Sequence, residues 1–378
     1  MSNPLKRLAE LGQSVWYDYI RRDLYTGPAL KRLIEEDGLS GMTSNPTIFQ
    51  KAIAESALYD EDVRGQARAT RDPAQIFEAL AVADVQAAAD AFRSVHQAMG
   101  GDDGFVSIEV APRLARDTEG SIAEARRLWK ACNRPNVMVK IPGTREGLPA
   151  IRQCLAEGIN INITLLFSVD RYREVMEAYL AAMEERAGKN QPVDRIRSVA
   201  SFFVSRVDTN ADKKLDAIAK DAGRSSSDRD AAKRLRGKLA IANARIAYEV
   251  FEKVFGSPRF TALKAKGVKV QRPLWASTST KDPAYPDLYY VEALVAPESV
   301  DTMPPETFEA YRDHGDPKVR IREDLDAAHA VMRDLAALGV DADRIAVELE
   351  EEGVRKFSDS YDQLLKAVAE KEKAMRVA

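Results

Sequence analysis

The chain has 378 residues, 45% hydrophobic and 30% charged, an ordinary globular composition long enough for one large domain or two medium ones. With 56 Lys and Arg against 59 Asp and Glu, the formal net charge of -3 disfavours a nucleic-acid groove. Two cysteines, Cys132 and Cys154, and three scattered histidines, His96, His314 and His329, make no CxxC or Cys/His cluster; a disulfide framework is excluded and structural zinc is not expected. No apolar run approaches the roughly 20 residues of a membrane span. The start, MSNPLKRLAELGQSVWYDY, carries charges where a signal peptide needs an apolar core. These features predict a soluble cytoplasmic protein with no membrane or nucleic-acid partner.

In chain order, short apolar segments alternate with long amphipathic ones, the rhythm of parallel strands with helices outside. The first predicted strand is 14–20 (SVWYDYI), followed by a helical stretch, PALKRLIEED. The second, 38–46, ends in a polar turn, and residues 47–99 read as several helices, one of them over 74–99. The third is 104–110 (GFVSIEV); Ser121 and Glu124 then have the spacing of a capping box. The fourth covers 136–141 and the fifth 161–167, with Ser168 as N-cap of the helix after it. The sixth covers 197–204, the seventh 268–277 and the eighth 298–304. Eight strands in this order predict a (β/α)8 barrel, within its usual length. The stretch 209–266 reads as a charged helical insertion with a loop at AGRSSSD, and 321–376 as C-terminal helices packing on the barrel or on a partner. The expectation is a single barrel domain over 1–378.

Barrel strands are buried on both faces and should be apolar. A polar side chain there costs about 1–3 kcal/mol unless paired. Yet Lys140 shares a face of the fourth strand with Met138, while Val137, Val139 and Ile141 form the other. On the fifth strand Ile159, Ile161 and Ile163 alternate with Asn160, Asn162 and Thr164. Ser107 and Glu109 share a face of the third, and Asp18 lies between Tyr17 and Tyr19 on the first. The second ends in Thr43, Ser44 and Asn45, the sixth adds Ser201 and then Arg206, and the seventh adds Ser277. These groups gather where barrel active sites lie, at the C-terminal ends of the strands. A buried amine gives up its charge more readily than one in water, and a neutral amine attacks a carbonyl; a carboxylate nearby moves the protons. Alone, Lys140 reads more readily as a salt-bridge partner, with Glu109 as one candidate, and Asp18 as a polar strand end; an exposed antiparallel face is the lesser alternative for the Asn160/Asn162/Thr164 alternation. Their joint occurrence on separate strands weighs against that.

Several segments resemble transaldolases. Gly41-Met42-Thr43-Ser44-Asn45-Pro46-Thr47-Ile48 is similar to the first signature of that family. Val137-Met138-Val139-Lys140-Ile141-Pro142-Gly143-Thr144, with Gly147-Leu148, is similar to the second, which holds its Schiff-base lysine. VSIEVAPRLARDTEGSIAEA at 106–125 and GININITLLFS at 158–168 extend the resemblance, in order, from Asp18 to Ser277. It implies a class I enzyme of the pentose phosphate pathway, without metal or organic cofactor. Such an enzyme passes dihydroxyacetone from sedoheptulose 7-phosphate to glyceraldehyde 3-phosphate, giving erythrose 4-phosphate and fructose 6-phosphate. Carried over, Lys140 is the nucleophile and Asp18 the acid/base for the C4 hydroxyl. Glu109 and Thr164 hold a catalytic water. Asn45, Asn162 and Ser201 bind the dihydroxyacetone unit, and Arg206 binds phosphate; its alternative is a surface pair with Asp208.

One position departs from the family. Two residues beyond Ser277, where many members carry a second phosphate-binding arginine, this chain has Ser279. Lys281, the nearest downstream cation, either takes over that charge or is solvated. The WASTSTK segment and the 209–266 insertion resemble a longer-chain subgroup. A fructose-6-phosphate aldolase, a pyridoxal-phosphate barrel and a non-catalytic scaffold stay open as rivals, and a monomer and a homodimer are equally compatible with the sequence.

Overall fold

A computed structural model describes residues 3–377. Eight parallel strands close into a barrel in chain order, β1 pairing with both β2 and β8. They are β1 (Gln13–Asp18), β2 (Gly41–Thr43), β3 (Phe105–Glu109), β4 (Val137–Pro142), β5 (Ile161–Leu166), β6 (Ser198–Phe203), β7 (Arg272–Ala276) and β8 (Ser299–Met303). All eight predicted strands are present. β2 keeps only three residues of the segment 38–46, because Pro46 opens the helix Pro46–Ala54 and Asn45 caps it. β7 begins at Arg272 rather than 268.

The base of the barrel is plugged by side chains. Trp16 lies across Gly41, where a Cβ would stand 2.5 Å from the indole, so the first signature needs glycine there. The indole Nε1 donates to Asp103 Oδ1 at 2.8 Å, and Arg272 Nη1 donates to Ser14 Oγ at 2.6 Å. Asn160 belongs to this end of the barrel. Its amide donates to the carbonyls of Pro135 and Val137 and accepts from Arg197 N. It stitches strands together, and the polar alternation of β5 therefore splits between a structural residue and the two above it.

The 209–266 stretch is helical, as Ser205–Lys220, Ser226–Leu235, Leu239–Phe255 and Pro258–Lys264. Asp208 accepts from Ala240 N and the Tyr290 hydroxyl, and Asp212 from Gly237 N and the Tyr285 hydroxyl. These bonds tie the insertion to the segment between β7 and β8. At the C-terminal end, Leu325–Ala337 packs on Leu239–Phe255, and the 36-residue helix Ala342–Val377 packs on Pro46–Ala54 and touches β5.

Two local expectations change. The helix over 74–99 divides into Pro73–Ala91 and Arg93–Ala98, with Phe92 fully buried at the break. The helix after β3 starts at Thr118 with Asp117, not Ser121, as its cap: Gly120 N donates to Asp117 Oδ1 at 2.9 Å. A carboxylate at that position also meets the positive helix end. Ser121 instead donates to Leu114 O, and Glu124 accepts from Ala111 N. Ser168 caps its helix as expected, and both cysteines are buried and unpaired.

Candidate active site

Parallel register sets the site. Glu109, Lys140 and Asn162 are paired neighbours across β3, β4 and β5, and Asp18 pairs with Thr43 across β1 and β2. Lys140 is 5% exposed; its Nζ donates to the Ser44 carbonyl at 3.2 Å and stands 3.7 Å from Glu109 Oε2. That separation is an ion pair without a good hydrogen bond. Both carboxylate oxygens of Glu109 and the Thr164 hydroxyl are buried with no protein hydrogen-bond partner among the described residues. Thr164 lies within a register irregularity of β5 between Ile163 and Leu166, where Leu165 takes a left-handed φ of 59°. Such bulges re-aim side chains beside active sites.

Burial dominates the carboxyl groups. It pushes Glu109 up to about 7, against the Lys140 charge and helped by that of Asp18. A group at that value can hold or release a proton at neutral pH. Asp18 is also raised by burial, opposed by Lys140 and by the hydrogen bond from Thr43. Thr43 Oγ1 donates to Asp18 Oδ1 at 2.7 Å, and lies 2.6 Å from Thr302 Oγ1 on β8. Next to the lysine, Ser201 donates to Asn162 Oδ1 at 2.7 Å and Asn162 Nδ2 donates to Ser107 Oγ at 3.0 Å. This chain fixes the amide orientation.

Above Lys140 opens a cleft of about 200 Å³, lined by Asp18, Asn45, Ser201, Arg206, Ser277 and Lys281 among others. A water occupies about 30 Å³, so the cleft holds a ligand of several heavy atoms. Arg206 is half-buried, makes no hydrogen bond or ion pair among the described residues, and does not pair with Asp208, which is turned to Ala240 and Tyr290. Lys281 Nζ donates to Ser279 Oγ at 2.7 Å at the exposed rim. Ser277 takes a left-handed φ of 57°, with its hydroxyl 2.9 Å from that of Ser205. Asn45 spends its carbonyl oxygen on capping Ile48 N. Glu109 opens instead onto a separate small cavity with Asn45, Phe77 and Tyr361.

A family model described as Transaldolase/Fructose-6-phosphate aldolase matches residues 15–368. The chain belongs to this family. It is 49% identical to a transaldolase of Frankia alni over 98% of each chain, 48% to one of Saccharopolyspora erythraea over 97% of each, and 42% to one of Trichodesmium erythraeum over 99% of each. Thr302, Glu306 and Phe357 also line the cleft. Thr302 lies on β8, and Phe357 comes from a helix far along the chain; neither carries a local signal. Among the described residues no helix is long and apolar enough to cross a membrane, and no group of three or more His, Cys, Asp and Glu could hold a metal ion.

Proposed function

We infer that the chain is a transaldolase, moving dihydroxyacetone from sedoheptulose 7-phosphate to glyceraldehyde 3-phosphate through a Schiff base on Lys140. The observation that carries the reading is the buried Lys140 amine at the floor of a cleft that also offers Asp18 and an unpaired Arg206. The whole chain acts as one barrel domain, in the cytoplasm, as a monomer or homodimer, on sugar phosphates alone.

The amine of Lys140 adds to the ketone carbon, and loss of water gives an iminium. Glu109 passes protons to and from that water, with Thr164 fixing its position; a water between them satisfies polar atoms that burial otherwise leaves unpaired. The Asp18 carboxylate takes the C4 hydroxyl proton. The C3–C4 bond breaks, its electron pair moves into the iminium, and the aldose phosphate leaves an enamine on Lys140. Asn45, Asn162 and Ser201 hold the hydroxyls of that three-carbon unit, and Arg206 holds the phosphate, with Ser277 and Lys281 at the rim. The enamine carbon then attacks the acceptor aldehyde, Asp18 returns its proton to the new hydroxyl, and water releases the ketose. Covalent retention predicts ping-pong kinetics.

The test is a coupled assay with sedoheptulose 7-phosphate and glyceraldehyde 3-phosphate. Erythrose 4-phosphate should appear in step with fructose 6-phosphate. Release of free dihydroxyacetone in their place would make the chain an aldolase.

A further inference from the structure

Arg206 stands unpaired in the cleft, yet a guanidinium on a flexible stem recognises phosphate well only when its planar fork is already aimed. A carboxylate partner would aim it but also neutralise it. Here aromatic rings surround the group instead. The Arg206 Cζ lies 5.2 Å from the ring centroid of Phe203, at the end of β6, and 5.9 Å from that of Phe357, on the helix Ala342–Val377. Ring faces attract the cation without cancelling its charge.

The acid on the same helix forms no ion pair with Arg206. Glu352, whose charge bears on Arg206, is engaged by Lys356 one turn further on. The helix can approach because Gly353 faces Leu165: a Cβ there would stand 2.9 Å from Leu165 Cδ2. Phe357 is buried, lines the cleft and sits one turn beyond Gly353.

We propose that Phe357 is a positioning residue for substrate phosphate, bracing the Arg206 guanidinium against Phe203 so that the C-terminal helix completes the phosphate grip. The proposal rests on the reading of Arg206 as the phosphate ligand and adds a second element to it. The test compares fructose 6-phosphate with fructose as donors, both of which give the same enamine. In Phe357→Leu the ratio of kcat/KM for the two donors should fall roughly five-fold, the size of one cation–π contact at a partly exposed site. Phe357→Tyr should restore it. A packing defect lowers both donors alike and leaves the ratio at its wild-type value, which overturns the proposal. Arg206→Gln is measured beside it. Loss of discrimination there with none in Phe357→Leu removes the brace and keeps the ligand; unchanged discrimination in Arg206→Gln removes both. If Phe357→Leu does not fold, Phe357→Met, unbranched and without a ring, repeats the measurement.

Discussion

Lys140 and Glu109 are paired neighbours on adjacent strands, with Nζ 3.7 Å from Oε2, close enough for charge to act and too far for a good hydrogen bond. An ordinary structural ion pair would close that gap. The looser arrangement leaves the amine free to reach a ketone, so borohydride with fructose 6-phosphate should inactivate the protein and leave a reduced three-carbon adduct on Lys140. Peptide mapping by mass spectrometry decides it; an adduct on any other lysine would remove Lys140 from the chemistry.

Glu109 should govern the steps in which water leaves or enters. Its carboxyl is pushed up to about 7 by burial, so it ionises as the pH rises through neutrality. Glu109→Gln should slow Schiff-base formation by about 10²–10⁴, the usual contribution of a placed acid or base. The wild-type inflection near pH 7 in that step should disappear. Stopped-flow trapping of the imine across pH 5–9 measures both, and an inflection that survives the substitution would assign it elsewhere.

In the proposed mechanism Asp18 acts in a different step. It is needed as carboxylate, and burial raises it above its ordinary 3.8, so cleavage should fail on the acid side at a higher pH than for an exposed aspartate. Asp18→Asn should still form the imine with fructose 6-phosphate yet release almost no glyceraldehyde 3-phosphate. Normal cleavage in that variant would exclude Asp18 as the base.

The barrel was legible because each strand is a short apolar run between helices, and Lys140 because a charge on an inner strand face violates that pattern. The same rule misled at Asn160. Polarity at a strand position says that a partner exists, and for Asn160 the partners are backbone groups at the base of the barrel. Capping at Asp117 was missed because Ser121 and Glu124 match a spacing rule while a nearby carboxylate satisfies the helix end better. Thr302 and Phe357 enter the cleft only through barrel closure and helix packing. Those contacts span most of the chain and leave no local pattern.

The glycines of the second signature should be unequal to glycines elsewhere. At Gly147 a Cβ would stand 2.0 Å from the Pro142 carbonyl oxygen and 3.0 Å from Thr144 Oγ1, which accepts from Gly147 N. Gly147→Ala should therefore destabilise the fold by about 1–3 kcal/mol, as overpacking does. Gly188→Ala, where nothing lies within 4 Å, should be neutral or gain up to about 1 kcal/mol. Urea midpoints of the two variants give the comparison, and equal shifts would remove the steric explanation for the signature.

Asp301 on β8 offers a test of burial without a compensating cation. Its Oδ1 accepts from Thr278 Oγ1 at 2.9 Å, its Oδ2 is buried without a partner, and burial lifts it from 3.8 to about 7. The folded chain therefore keeps a proton that the unfolded chain has released. The stability tied to that proton is complete below about pH 3.8 and is lost as the pH rises through about 7. Asp301→Asn cannot ionise and keeps an acceptor for Thr278. Its stability relative to wild type should rise by roughly 2–3 kcal/mol between pH 5 and pH 8, at about 1.4 kcal/mol per unit, and then level off. Taking the difference between the two proteins cancels every other titrating group. Parallel urea stabilities at the two pH values would mean that Asp301 is ionised in the folded chain throughout, and that some group beyond Thr278 stabilises its charge.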